Sequence, residues 1–427
     1  MIVFLEKIRV KTIFSAFEPV KVEPLELFCL KLVLNNMNLE NYLIDDLFKL
    51  KAPLDKHPDI VILTGYNVAE QKLIETSEIY KLKYPNIKII VGGVHIQKNK
   101  ETFHVNSIDY VFHSQSLNSF KLLIEKILKG DRTVLSYGVD CLINDKSGNK
   151  YWHLGKEETV HENENYKIDR NIFKQISKKT RYLEKRNVAL IKGSIGCPYN
   201  CSYCFCKEIN NNQYIKANYK EIADEMENIE ADYFWIVDDV LFTTRKDAEE
   251  FIEIFKQRNI KAKIIAYLRA DFILKEQDLL KELREVGIVE VIVGFEATNN
   301  NELKNYEKTT NALDYPKVIS LLKENNIDLT ALFMVHPDYK LKDFRNLNKF
   351  IRNNKIDVFT ISIFTPIKGT KSYENLKENL ITLNPEKFDF MHLTLKSKLP
   401  KFLFYILFYC IHLNLLRSKR IWTYIKS

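Results

Sequence analysis

From Val188 to Phe364 the chain repeats one unit: a short apolar run, then a stretch with helical period. The runs 188–193, 233–238, 262–268, 288–295, 328–335 and 357–364 read as strands. The stretches near 218–230, 245–258, 275–286, 312–325 and 341–354 read as helices. A helix between two strands lets both run the same way, so the strands pair in parallel and the helices cover the outer face. Six such units suit a partial (β/α)6 barrel of the TIM type, open on one side; a full eight-unit barrel needs more chain. In either form the chemistry belongs at the C-terminal ends of the strands.

The first third alternates in the same way. Ile8–Phe14, Tyr42–Asp45, Asp59–Thr64, Ile87–Val91 and Asp109–Phe112 read as strands, and Pro24–Asn35, Val68–Tyr84 and Leu117–Leu128 as helices. This predicts an α/β, doubly wound, Rossmann-like sheet that binds ligands at the carboxyl ends of its strands. Gly92 and Gly93 fall at such an end, and glycine is scarce here, 12 in 427 residues. Two adjacent glycines let a ligand approach the backbone, which makes them candidate cofactor-binding residues. Residues 136–187 are polar and irregular, with a hairpin from Gly138–Ile143 and Lys150–Trp152 and a charged stretch from Lys156 to Asn165. The expected division is a Rossmann-like domain over 1–135, a linker with hairpin over 136–187, the barrel over 188–375 and a helical C-terminal extension over 376–427.

Chemistry concentrates just after the first barrel strand, in Gly196-Cys197-Pro198-Tyr199-Asn200-Cys201-Ser202-Tyr203-Cys204. Thiolates are soft ligands suited to iron–sulfur clusters and zinc. Structural zinc usually takes four protein ligands, often as two separated pairs. Here three lie close together and no second Cys-x-x-Cys pair follows. Three thiolates on a four-iron cubane leave one iron open. Cys206 is the nearest spare thiol and would close that position, so it reads as a neighbour rather than a ligand. Asp238, Asp239, Arg269, Glu296 and His336 also fall at strand ends, where charged residues either serve a site or cap the next helix.

Cys-x3-Cys-x2-Cys with Tyr203 before the last cysteine resembles the radical S-adenosylmethionine (SAM) superfamily. The resemblance implies that Cys197, Cys201 and Cys204 hold a 4Fe–4S cluster whose free iron chelates SAM. "Val-Gly-Phe-Glu-Ala" (293–297) is similar to the Gly-x-Glu strand end of the cobalamin-associated group, which places Gly294 and Glu296 near the SAM amino or ribose groups. Arg269 in "Leu-Arg-Ala-Asp" resembles that group's arginine and would pair with the SAM carboxylate, a partner suited to a guanidinium fork. "Phe-Thr-Pro-Ile-Lys-Gly-Thr-Lys-Ser-Tyr" (364–373) resembles a stretch near the adenine. Residues 58–95, from Pro58-Asp59 to Gly92-Gly93-Val94-His95, resemble the cobalamin-binding domain that precedes many such barrels. The family's Asp-x-His-x-x-Gly motif is absent, and His95 reads as a hydrogen-bonded loop residue. Segments 22–27 and 388–405 resemble hopanoid C-3 methylase-type enzymes, and the anaerobic cyclases are similar as well.

Composition narrows the setting. Seven cysteines, three of them clustered, do not make a disulfide framework, and a cluster fits a reducing cytoplasm. Lys+Arg 64 against Asp+Glu 56 gives +8, spread along the chain, which argues only weakly for nucleic acid. Met1–Lys7 shows no basic segment followed by a long apolar run, so no signal peptide is expected. No run reaches the ~20 apolar residues of a membrane span. Phe402–Ile411 is apolar and followed by Arg417, Lys419, Arg420 and Lys426. It reads either as a core helix over the barrel's open edge or as an interfacial helix bringing the protein to the inner face of a membrane.

The resemblance implies a radical SAM enzyme that generates a 5′-deoxyadenosyl radical for cobalamin-dependent methyl transfer to an unactivated carbon. Its substrate would be a small or lipid-like molecule and its electron donor a flavodoxin or ferredoxin. Two alternatives stand beside it: radical cyclase, oxidase or rearrangement chemistry on a degenerate cobalamin domain, and a non-enzymatic cluster or zinc protein that binds nucleic acid.

Overall fold

The computed structural model describes residues 1–11, 18–131, 137–158 and 168–426. The first sheet has seven strands: β1 (Ile2–Ile8), β2 (Glu40–Ile44), β3 (Ile60–Gly65), β4 (Lys88–Gly92), β5 (Tyr110–Phe112), β6 (Val139–Asn144) and β7 (Lys150–His153). Their order is β2-β1-β3-β4-β5-β6-β7. The first five are parallel. Every residue of β3 is buried, as a strand covered on both faces must be. Helices Leu25–Asn36 and Glu70–Lys83 make the crossovers from β1 to β2 and from β3 to β4. Because β2 and β3 flank β1 on opposite sides, the order reverses at β1, and a crevice opens past its carboxyl end.

Two expectations change here. The opening strand is Ile2–Ile8, not Ile8–Phe14; residues 12–17 lie outside the described residues. Ile2 to Leu5 are paired or packed on both sides, with Val3 opposite both Asn41 and Ile60. The hairpin expected inside a linker belongs to the first sheet. Its first strand pairs antiparallel with β5, Val111 opposite Asp140. Buried Asp140 fixes it there, accepting from Nε2 of His104 (2.9 Å), Nε2 of His113 (3.1 Å) and the Gly155 amide (2.8 Å). The charged stretch from Lys156 falls partly on 159–167, outside the described residues.

The second sheet has six strands in chain order: β8 (Val188–Ile191), β9 (Tyr233–Ile236), β10 (Ile264–Tyr267), β11 (Ile288–Glu296), β12 (Asp328–Val335) and β13 (Val358–Ile363). All five pairings are parallel. This is the partial (β/α)6 barrel the repeat predicts. The edge at β8 is blunted by side chains. The Leu190 amide donates to Glu23 Oε1 at 2.7 Å and its carbonyl accepts from Arg170 at 2.6 Å, so backbone groups that a closed barrel would pair are paired here instead.

The two sheets share one continuous core. Polar contacts join them as well: Lys368, after β13, donates to Glu70 at 3.0 Å and to Thr102 at 2.9 Å. The tail forms a helix Lys401–His412, a 3-10 turn Leu413–Arg417 and a helix Lys419–Lys426. Phe404, Phe408 and Ile411 are buried, with Phe404 edge-on to Phe344 of helix Leu341–Asn353 at 5.2 Å. Arg420 then reaches the barrel floor and grips buried Glu290 of β11 through two bonds, 2.9 and 2.8 Å. No helix among the described residues is long and apolar enough to cross a membrane.

Candidate functional site

A cavity of about 1600 Å³ lies where the C-terminal ends of β8 to β12 face the crevice at β1. That exceeds the roughly 300–1,000 Å³ of an ordinary small-molecule pocket. Its barrel wall carries Cys197, Cys201 and Cys204, and its other wall carries Lys7, Arg9 and Tyr66 from the first sheet.

The cysteine loop is held at both ends. Gly193 and Ser194 amides donate to Oδ1 of Asp238 at 2.8 and 3.0 Å, and Asp238 is fully buried at the end of β9. Gly196, with φ +72°, sits where a Cβ would meet the Gln213 carbonyl oxygen at 2.1 Å, so the turn into Cys197 accepts only glycine. Ser202 anchors the far side, its amide donating to the Tyr306 carbonyl at 3.1 Å and its hydroxyl to that of Asn305 at 3.1 Å. The three thiols are therefore partly exposed on a fixed loop. Burial pushes the Cys197 thiol up to about 11. The Cys206 thiol, donating to Cys204, holds Cys204 below its ordinary value.

Among the described residues no three His, Cys, Asp or Glu side chains converge closely enough to share one metal ion. A zinc site gathers its donors on one ion. A cubane asks for something else, with each thiolate on its own iron and the sulfurs spread around the cluster. Three soft, accessible donors facing a large cavity meet that requirement.

Opposite the cysteines, β11 ends in a strained turn. Glu296 has φ +62°, and the pairing with β12 slips a residue between Gly294 and Glu296. Such a conformation costs on the order of 1–3 kcal/mol and persists where surroundings enforce it. Here Tyr203 donates to Glu296 Oε1 at 3.0 Å, and Lys308 donates to the same oxygen at 3.1 Å and to the Gly294 carbonyl at 2.6 Å. A Cβ on Gly294 would meet Glu296 Oε1 at 2.2 Å. Oε2 of Glu296 takes no partner among the described residues. Tyr203 and the Gly294–Glu296 strand end, read as two patterns in the sequence, thus form one unit. Lys308 was missed, because it arrives from a loop with no motif around it.

Arg269 also lines the cavity, stacked on the Tyr199 ring at 3.7 Å. Its fork is met by Asp271 at 2.9 and 2.6 Å, so the arginine assigned to the SAM carboxylate is held by a carboxylate of its own chain. Gly92 and Gly93 are not among the described residues of the cavity wall. A Cβ on Gly93 would meet Thr64 Oγ1 at 2.7 Å, so the close approach there is by a neighbouring strand end. His95 is buried against Glu70 at 2.8 Å, hydrogen-bonded as the sequence suggested, but on the short helix Val94–Lys98 rather than on a loop. Of the 364–373 stretch, Lys368 and Gly369 pack on the first sheet's side, while Lys371 and Ser372 border the cavity.

Residues 191–351 match the model of the Radical SAM superfamily. The chain carries a radical SAM domain. That span contains the cysteine loop, Arg269, Glu296 and Lys308. The chain is 22% identical over 371 residues to bacteriochlorophyllide d C-8(2)-methyltransferase of Chlorobaculum tepidum, covering 83% of this chain and 77% of that one. It is 24% identical over 212 residues to hopanoid C-3 methylase of Methylococcus capsulatus, covering 50% of this chain but only 41% of the methylase. In fold it is similar to the radical SAM methyltransferase TsrM of Kitasatospora setae, whose structure holds cobalamin and a [4Fe-4S] cluster. The TM-score is 0.69 at 14% identity, covering 97% of this chain and 90% of that one.

Proposed function

We propose that this radical SAM enzyme transfers a methyl group to an unactivated carbon of a small or lipid-like molecule, with cobalamin as the second cofactor. The observation that carries the reading is the joint cavity: three thiols on the barrel wall face the switch point of a doubly wound sheet across about 1600 Å³. The size suits two cofactors and a substrate better than one small ligand.

Cys197, Cys201 and Cys204 would hold a 4Fe–4S cluster, which when bound supplies the electron that cleaves SAM to methionine and a 5′-deoxyadenosyl radical. The electron enters from a flavodoxin- or ferredoxin-type donor. The protein's share is position and exclusion of water. Glu296 presents one carboxylate oxygen to a ligand ammonium or hydroxyl, while Tyr203 and Lys308 fix its other oxygen. Trp235, Tyr267, Ile292 and Leu332 give the cavity an apolar barrel wall that keeps water from a reactive intermediate. The wall bearing Lys7, Arg9 and Tyr66 would receive a corrinoid, which supplies the methyl group; His95, committed to Glu70, does not ligate its cobalt.

The test is anaerobic reconstitution followed by SAM and dithionite, with 5′-deoxyadenosine release as readout. The wild-type protein is expected to release it, and Cys201→Ala to fall to the buffer background. An unchanged rate in Cys201→Ala would overturn the reading. Added hydroxocobalamin is expected to co-elute with the protein on gel filtration; release of 5′-deoxyadenosine without corrinoid binding would move the reaction to the cyclase type.

A further inference from the structure

We propose that the outer face of the C-terminal helices seats the protein on a membrane surface rich in anionic lipid. Helix Lys401–His412 buries Phe404, Phe408 and Ile411 and turns its opposite side outward. Along that side Phe402, Ile406, Tyr409 and Leu413 follow at intervals of four, three and four, one continuous helical stripe. Phe402 is 77% exposed and Leu413 61% exposed. The stripe runs on through Leu416 to Trp422, whose indole nitrogen donates to the Leu416 carbonyl at 2.7 Å and whose ring is 46% exposed. Six large apolar side chains on one short segment are not the scattered exposure of an ordinary surface.

Charge identifies the occupant. From Phe390 to Ser427 the chain has seven Lys or Arg residues and no Asp or Glu, whereas the whole chain carries 64 basic and 56 acidic residues. Lys401, Arg417, Lys419 and Lys426 are exposed beside the stripe. An apolar ridge bordered by cations, with an aromatic ring at its far end, matches the boundary between acyl chains and anionic headgroups. Each cation near such a surface strengthens the attraction to anionic headgroups. The segment leading into the helix starts beside the cavity. The Lys398 amide, just ahead of the helix, donates to the Pro337 carbonyl at 3.0 Å, and the neighbours His336 and Asp338 line the cavity.

The experiment is vesicle flotation of the full-length protein, with vesicles of phosphatidylcholine alone or with phosphatidylglycerol at equal parts. The protein is expected to float with the mixed vesicles, to stay behind with phosphatidylcholine, and to be released as salt is raised from 0.1 to 0.5 M, where screening shortens the reach of surface charge. The double variant Phe402→Ser, Leu413→Ser is expected to lose flotation while keeping the wild-type unfolding midpoint, since both side chains are exposed. Three results would overturn the proposal: no flotation, equal flotation with neutral vesicles, or a variant that floats like the wild type. Sedimentation velocity covers the other occupant, because a dimer that the same variant dissociates would assign the face to a second copy of the chain. None of these outcomes depends on SAM cleavage, so the docking proposal and the catalytic reading fail separately.

Discussion

Glu23 has an awkward place for a carboxylate. It is fully buried at the open edge of the barrel, where Oε1 accepts from the Leu190 amide and from Arg170 while Oε2 finds no partner. Burial pushes its carboxyl up to about 7, against the opposing pull of Arg170 and the Leu190 amide. A folded-state value above the unfolded one means that the native protein holds a proton the unfolded chain has lost. Its contribution to stability is therefore greatest below the unfolded value near 4.5 and falls as pH rises towards 7. The loss amounts to roughly 3 kcal/mol across that window. Glu23→Gln keeps the amide contact and has no proton to lose. Urea unfolding of both proteins between pH 5 and 7.5 should show the wild type weakening relative to the variant; parallel curves would contradict this. Legibility at this scale followed locality. The three cysteines, Tyr203 and the Gly294–Glu296 strand end could be read because each sits in a short, local pattern. Lys308 could not, since its partners come from other segments. At Arg269 the guanidinium fork already meets Asp271, two residues on, a contact that the strand-end pattern does not advertise.

At the scale of elements, the last helix is a plug as well as a surface. Arg420 joins Glu184 and Glu290 at the barrel floor, where Lys185 also reaches Glu290 at 2.7 Å. Glu290 is fully buried, and these cations are its ionic partners. Removing one partner of a buried ion cluster costs about 3 kcal/mol or more. Arg420→Ala should lower the unfolding free energy by that amount, while Arg417→Ala, on exposed backbone a few residues before, should stay within about 0.5 kcal/mol. Equal effects would mean that the helix does not seal the floor. The barrel strands were legible because strands buried on both faces read as unbroken apolar runs. The hairpin was legible as a hairpin, yet its attachment to β5 was not: Val111 opposite Asp140 is a pairing between segments, and neither segment advertises it.

At the scale of the whole molecule, the two sheets meet through a shared core and enclose one large cavity between their carboxyl ends. Each fold alone places its ligands at that end. Facing the two ends together turns two ordinary sites into one chamber, with thiols on one side and the switch point on the other. The alternation in the sequence predicted both sheets but not their mutual orientation, which depends on contacts such as Lys368 with Glu70 across the chain. The proposed chemistry requires that chamber to hold an iron–sulfur cluster. The most direct measurement is the absorption spectrum and iron content of the protein after anaerobic reconstitution with iron and sulfide. A broad band near ~400 nm that dithionite bleaches is expected, with about four irons per chain, as a [4Fe–4S] cluster requires. A colourless protein with less than about one iron per chain, although folded, would contradict it.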